Sequence, residues 1–500
     1  MYRHIVVGAG AAGCVVAARL SADPDAEVLL LEAGDAKVTD AVRTPHRWNE
    51  VLLTDLDWAY MSDPQPGLDG ARVYSAAGRG LGGTSNIYHM MHTWGRPQDY
   101  DDWRVPGWSF EDVQPYLKNL ALAVAGAEET GNPVSATFVD ACAELGHPRL
   151  ADFNAGLYGA GWQRVNIRDG RRHGAREAYL EPALSRPNLT VLDGAPVTRL
   201  LFEGDRCVGV EYQRGDDPHT ARAEGEVVVC AGAIQSPKLL MLSGIGDPEL
   251  LAGHGLAVHT ALRGVGENFH DHPLVIGPIG YLDRPGEDPR GNVTEVALFS
   301  GGEPVPDLEI CLVHRAPFGE KFFANVIRRV QSGQPLSDVR ELVDPHVILA
   351  LTGLVRPASR GHVRLAGTDP LAHPRISANY FAEPRDLERT VDAVELARDI
   401  YRTRAFTDGW KLAEVAPGPD VATRDQLTAW VKANTGSYYH FAGSCRMGTD
   451  ELAVVDPELR VRGVRGLRVA DGSVMPALVS AHPHATIVMI GERAAELISG

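Results

Sequence analysis

Apolar and polar positions are arranged in several distinct ways along this 500-residue chain. Near the N-terminus two short apolar runs, Ile5-Val6-Val7 and Val28-Leu29-Leu30-Leu31, flank an Ala- and Val-rich segment that ends near Leu20. Such runs read as buried strands, and the segment between them as a helix. From Leu189 the pattern becomes β-like, with runs at 189–192, 196–202 and 207–212 separated by turn signals. A further run, Val227-Val228-Val229-Cys230, leads into a second strand-to-helix turn at Ala231-Gly232, with Pro237 expected in the first turn of that helix. Strand-like runs recur at 308–313, 346–351 and 359–365. Leu387, Val391, Val394, Leu396 and Ile400 recur at helical spacing and predict an amphipathic helix over 383–402. Ser109 with Asp112 predicts a capped helix start, and 485–498 reads as a final helix. The run Gly156 to Gly161 follows no apolar strand and is expected as loop. Arg171-Arg172-His173 is expected as a solvated basic tip.

The first turn carries chemistry. Gly8-Ala9-Gly10-Ala11-Ala12-Gly13 lies between the first strand and helix, and Glu32 closes the second strand 19 residues after Gly13. Gly8 permits the tight turn, Gly10 lets backbone approach a pyrophosphate, and Gly13 lets helix and strand pack closely. The helix N-terminus offers free N–H groups to phosphates, and the carboxylate suits ribose hydroxyls. The unit predicts a bound dinucleotide and leaves NAD, NADP and FAD open. Glu32 disfavours NADP, because it would repel a 2′-phosphate.

Composition narrows the partners. The formal net charge is −17, from 48 basic and 65 acidic residues, which argues against a nucleic-acid partner. Six scattered cysteines form no CxxC pair and read as small buried residues in a reducing compartment. No apolar run is long enough to span a membrane. The expectation is a soluble cytoplasmic protein with no membrane partner. The length points to two large or interleaved domains.

Gly78-Arg79-Gly80-Leu81-Gly82-Gly83-Thr84-Ser85-Asn86 has four glycines in six residues, which suits a loop lining a polar ligand. From Gly78 to Trp103 the chain resembles the first signature of the glucose–methanol–choline (GMC) flavin oxidoreductases. The N-terminal stretch, with Cys14 and Glu32-Ala33-Gly34, resembles theirs as well. Gly232 to Gly246 resembles their second signature, and 264–273 continues it. The region around His440 and the stretch from Arg468 to Ile498 resemble their C-terminal motifs. Tyr88 and His92 depart from the usual pattern.

The resemblance implies an α/β chain (α+β overall): a Rossmann-like FAD-binding domain and a discontinuous substrate domain whose antiparallel sheet roofs the flavin. The expected division is 1–150, 190–275 and 438–500 for the first, and 151–189 and 276–437 for the second. FAD is expected at Gly8, Gly10, Ala11, Ala12, Gly13, Glu32, Ala33, Arg79, Gly82, Gly83, Thr84, Ser85, Val197, Ala231, Asp471, Gly472, His484, Ala485 and Thr486. Some members attach FAD through a histidine in the glycine loop. The aligned residue here is Ile87, so non-covalent FAD is expected. By the same resemblance His440 and His484 form the catalytic pair.

Histidine suits alcohol oxidation, since neutral imidazole takes a hydroxyl proton near neutral pH and lets the α-hydrogen leave as hydride to flavin N5. The expected partners are a small alcohol and either O2 or another electron acceptor. His270 and His272 flank Asp271, but HxH spacing alone gives no metal set, and no metal is expected. His89 and His92 are expected as loop-packing residues. The alternatives are a hydroxynitrile lyase-like enzyme on the same fold, an NAD-linked dehydrogenase using only the N-terminal fold, and a non-catalytic binding protein.

Overall fold

The computed structural model describes residues 1–156, 158–215, 217–302, 305–315 and 344–500. β1 (Tyr2–Val7), α1 (Ala11–Leu20) and β2 (Val28–Leu31) form the expected βαβ unit, with β1 and β2 parallel from His4↔Val28 to Val7↔Leu31. β3 (Leu189–Leu192) extends the sheet beyond β2. β4 (Val197–Glu203), β5 (Arg206–Arg214) and β6 (Asp217–Val229) form an antiparallel meander whose last strand lies parallel to β1. β7 (Leu467–Val469) pairs with β6, and the spatial order is β3-β2-β1-β6-β5-β4. Ile5, Val6, Leu30 and Val228 are fully buried, as two covered faces require.

The chain leaves β1 toward β2 on one side and returns by β6 on the other. Strand order therefore reverses between β1 and β6, and open α/β sheets take ligands outside the carboxyl ends of strands at such a point.

Two features from the C-terminal region close this unit. α2 (Gly232–Leu242) starts five residues before Pro237, so the proline is interior rather than in the first turn. An interior proline leaves the carbonyl four residues back without its helical donor. That carbonyl, on Ala233, accepts the Ser444 hydroxyl at 2.5 Å, so the C-terminal segment supplies the missing bond. The last helix, α4 (His484–Ser499), lies on α1. A Cβ on Gly491 would stand 2.9 Å from the Ala12 carbonyl oxygen, and Arg19 pairs with Glu492 at 2.7 Å.

The second sheet runs in the order 413–416, 273–281, 347–354, 308–313, 294–300, 159–162, 149–150, and 435–437 also pairs with 273–281. The expected domain boundaries at 150 and 275 thus fall at the end of one of its strands and inside another. The run ending at Gly161 is not all loop, because Gly159–Trp162 is a strand; Leu157 lies outside the described residues. A Cβ on Gly161 would stand 2.4 Å from the Leu150 carbonyl oxygen, so the glycine serves close strand approach.

Side chains alternate across this sheet. Ile310, Leu312, Ile348 and Ala350 pack outward in a cluster with Phe138, Ala397 and Ile400, from the helix Pro133–Glu144 and from α3 (Pro384–Tyr401). Cys311, Val313, Leu349 and Leu351 pack inward with Trp48, Ala481 and Tyr438. The amphipathic helix expected at 383–402 is α3.

The expected basic tip is exposed at Arg171 but interior at Arg172 and His173. Arg172 is 3% exposed; its Nε donates to the Val42 carbonyl at 2.7 Å and Nη1 to the Tyr88 carbonyl at 2.6 Å. Burial lowers its pKa to about 10. His173 is buried and accepts the Ala123 N–H. The Ser109 cap forms as expected, with the Asp112 carboxylate accepting the Ser109 N–H at 3.0 Å. All six cysteines are free and buried. No helix of the described residues is long and apolar enough to cross a membrane.

Candidate active site

At the carboxyl ends of β1 and β6 lies a cleft of about 390 Å³. Its lining includes Gly8, Gly10, Ala11, Ala12, Glu32, Ala33, Arg79, Gly83, Thr84, Val197, Ala231, Asp471 and Gly472 from the expected FAD set. Glycine is required where backbones meet. A Cβ on Gly8 would stand 2.6 Å from the Cys230 carbonyl oxygen, and one on Gly83 would stand 2.7 Å from Cα of Gly10. Gly13 is not in the lining but underlies it, since its Cβ would stand 1.9 Å from the Gly8 carbonyl oxygen. Gly82 donates its N–H to the Ala9 carbonyl at 2.7 Å and so joins the two glycine loops.

Two buried carboxylates hold this cradle. Glu32 accepts the N–H groups of Ala9 at 2.8 Å, Gly34 at 2.9 Å and Gly80 at 3.0 Å. It ties both glycine loops to the end of β2. Burial raises its pKa, opposed by those N–H groups. Asp471 does the same opposite, accepting from Gly232 N–H at 2.8 Å, the Ser236 hydroxyl at 2.6 Å and Ser473 N–H at 2.8 Å. Arg79 is 4.9 Å over the Trp58 ring, and its buried Nε has no hydrogen-bond partner among the described residues. A glycine-lined crevice at a switch point, with an unspent guanidinium nitrogen, fits an anionic dinucleotide.

Tyr439 and Phe441, on either side of His440, also line the cleft, as does Pro483. His440 is fixed from three directions. Its backbone N–H donates to Asp271 Oδ1 at 2.8 Å, its Nδ1 lies 3.0 Å from Nδ1 of His272, and its ring stacks on Tyr438 with centroids 4.5 Å apart. Asp271 Oδ2 also accepts the Tyr380 hydroxyl at 2.6 Å. Burial raises Asp271 to about 6, against its hydroxyl and N–H partners. Burial also pushes His440 well below the usual imidazole range, with His272 and His482 adding to the effect. His272 is lowered to about 3, chiefly by burial. The left-handed backbone of Tyr439 (φ 63°) turns the chain between Tyr438 and His440.

Two imidazoles meet His440 edge-on, His272 at 5.1 Å and His482 at 5.4 Å. His484 is engaged elsewhere. Its Nε2 pairs with the Ser85 hydroxyl at 2.9 Å and its ring lies 4.3 Å from that of Tyr88. Burial lowers its pKa to about 3. His440, His482, His484, Ser85, Ala485 and Thr486 are not in the cleft lining, and the Thr486 hydroxyl bonds Tyr100 at 2.8 Å.

Several polar residues here were not singled out by sequence reasoning. Glu309 Oε1 lies 3.2 Å from His482 Nε2, and the Cys311 thiol donates to Glu309 at 3.3 Å. Glu309, Cys311 and His482 each bring one ligand-type atom within 4.8 Å of the others. The only signal for Glu309 was an acid inside an apolar strand. For His272 and Asp271 the signal was the HDH run, considered only as a metal motif. His89 packs on Trp48 at 4.2 Å and pairs with Thr294 at 3.0 Å, and His92 is buried beside Asn166.

Family models describing GMC oxidoreductase match residues 2–274 and 357–491. The chain belongs to the GMC oxidoreductases. It is 36% identical to an uncharacterized GMC-type oxidoreductase of Mycobacterium tuberculosis, covering 99% of this chain and 98% of that one. It is 35% identical to human mitochondrial choline dehydrogenase, covering 100% of this chain and 90% of the relative. Among solved structures, pyridoxine 4-oxidase from Mesorbium loti superposes with a TM-score of 0.90 at 29% identity, covering 99% of both chains. Formate oxidase of Aspergillus oryzae, at 22% identity and a TM-score of 0.87, shares the fold. This GMC protein is an FAD-dependent oxidoreductase acting on CH–OH donors, on an α/β fold with a second, largely antiparallel sheet.

Proposed function

We propose that the protein oxidises an alcohol to a carbonyl, with His440 as general base and His482 holding the reacting oxygen. The observation that carries this reading is the partly buried ring of His440, held against His272 and Tyr438 with its backbone N–H on Asp271, beside the ring of His482. When bound, FAD supplies N5 as acceptor of the hydride that leaves the alcohol carbon. His440 carries its Nδ1 proton toward His272 and takes the hydroxyl proton at Nε2. His482 replaces His484 in this reading, because the His482 ring meets that of His440 while His484 pairs with Ser85. His484 steadies the glycine loop through Ser85.

Ile87 and the cradle geometry support FAD held without a covalent bond. Choline and pyridoxine, in the names of the relatives, are both alcohols, which supports a small alcohol as substrate. The electron acceptor is O2 or a second carrier. The six free cysteines support a reducing compartment such as the cytoplasm. We place the FAD-binding part at 1–148, 189–272 and 438–500, since the strands 149–150 and 273–281 belong to the second sheet.

His440→Ala is expected to keep FAD and to lose about 10³-fold in the rate of flavin reduction by alcohol, the scale of a general base. Anaerobic rapid mixing measures this. A variant that bleaches at the wild-type rate refutes the assignment.

A further inference from the structure

The strand Leu308–Val313 carries one charged side chain, Glu309, at the centre of the second sheet. Period-2 alternation puts Glu309 and Cys311 on the inward face, opposite Ile310 and Leu312. Glu309 is 0% exposed. An ionised carboxylate buried in this way is costly unless a cation or hydrogen-bond donors meet it. Among the described residues no Lys or Arg pairs with it. Its ion-pair partner is His482, at 3.2 Å, with the His482 side chain 7% exposed.

His482 has no competing partner. Both its ring nitrogens are buried, and neither makes a hydrogen bond to any described group, so the approach to Glu309 at 3.2 Å is an ion-pair contact. Its ring meets His440 and Tyr438 edge-on, at 5.4 and 5.8 Å. The sheet is shaped for this meeting. Across the strand pair from Glu309 stands Gly353, where a Cβ would come within 2.8 Å of the Tyr438 ring. A larger residue there would push Tyr438 off the position where it stacks on His440.

We propose that Glu309 is a positioning residue for alcohol oxidation, whose ionised carboxylate faces Nε2–H of His482 and favours the ring carrying a proton on each nitrogen, leaving Nδ1–H for the substrate oxygen. The inference rests on the alcohol-oxidising reading above. His440 accepts the hydroxyl proton, so a second neutral imidazole offering a lone pair would repel the same oxygen. A donor is needed there, and a carboxylate on the far side of the ring lets it be charged as well. The imidazolium then opposes the negative charge that grows on oxygen as its proton leaves, while the Glu309–His482 pair stays neutral overall. No net charge is buried.

The test uses the FAD-loaded enzyme and an alcohol that reduces the wild type anaerobically. Glu309→Gln is expected to keep its FAD and lower the limiting reduction rate about 10²-fold, while the apparent Kd for the alcohol changes less than about threefold. His482→Asn is expected to lose a similar factor. If Glu309 acts through His482, Glu309→Gln adds no further loss in the His482→Asn background. Glu309→Asp, which retains the charge at greater distance, is expected to fall between wild type and Glu309→Gln. A wild-type rate in Glu309→Gln overturns the proposal, as do losses that multiply in the double variant. Stoichiometric zinc in the purified holoenzyme also overturns it, since Glu309, Cys311 and His482 would then be ligands. A wild type that no alcohol reduces overturns the underlying reading instead, and is seen before any variant is made.

Discussion

The glycine cradle and the histidine cluster are both buried and polar, but they are built on different scales. The cradle is mostly local: β1, its glycine turn, α1 and β2 occupy the first 31 residues, and Glu32 then ties that turn to the loop at Gly80. The cluster is assembled from afar. Glu309 comes from a central strand, His272 from the start of another, and His440 and His482 from separate C-terminal segments. A local cradle grips a common cofactor part with backbone groups. A cluster assembled from distant segments places side chains precisely, and small changes in any one segment move the chemistry.

The comparison predicts that the two regions fail in different ways. His440→Ala, with its loss of about 10³-fold in reduction at full FAD content, is the largest effect. Glu32→Gln should do the reverse. The carboxylate accepts three backbone N–H groups through both oxygens, so an amide must turn its NH2 toward at least one of those donors. Leaving a buried donor unmet costs about 1–3 kcal/mol. FAD should bind about 10- to 100-fold more weakly, by titration of the apoprotein, while the holoenzyme that remains is reduced within about threefold of the wild-type rate. A Glu32→Gln holoenzyme crippled in reduction would erase the distinction between the regions.

The same contrast explains what the sequence could reveal. Gly8, Gly10, Gly13 and Glu32 are legible because each role follows from its place in one βαβ unit. The interior helical site of Pro237 was not, because its cost is met by Ser444, some 200 residues on, and no local pattern encodes that bond. Arg172 looked like a surface charge because three carbonyls from distant turns surround it only after folding. His440 and His484 were paired through the family motif, whereas the turn entering α4 sends His482 toward His440 and His484 toward Ser85. Periodicity cannot tell which way two such side chains leave a turn.

That turn gives a sharper test. If His484 steadies the glycine loop rather than touching the substrate, His484→Ala should cost about fivefold or less in reduction and about 1 kcal/mol or less in FAD affinity, the scale of one hydrogen bond. His482→Asn should cost about 10²-fold in reduction and leave FAD affinity near wild type. The two rates and the two apoprotein titrations decide between them. A reversed pattern would return the catalytic role to His484.

The smallest expected effect is the response to mild acid. An ordinary histidine base, with a pKa near 6.5, would be half protonated at that pH and would lose half its activity there. Burial holds His440 well below that value, so its neutral, proton-accepting form persists as the pH falls through 6.5. Protonation of Asp271, raised to about 6, comes next, and it weakens the acceptor that fixes the His440 backbone. The limiting rate of flavin reduction should therefore change less than about twofold between pH 7.5 and 6.5, and begin to fall only near or below pH 6. A half-maximal rate at pH 6.5 would mean that His440 titrates as if exposed, and that the cluster is not the closed arrangement on which its chemistry depends.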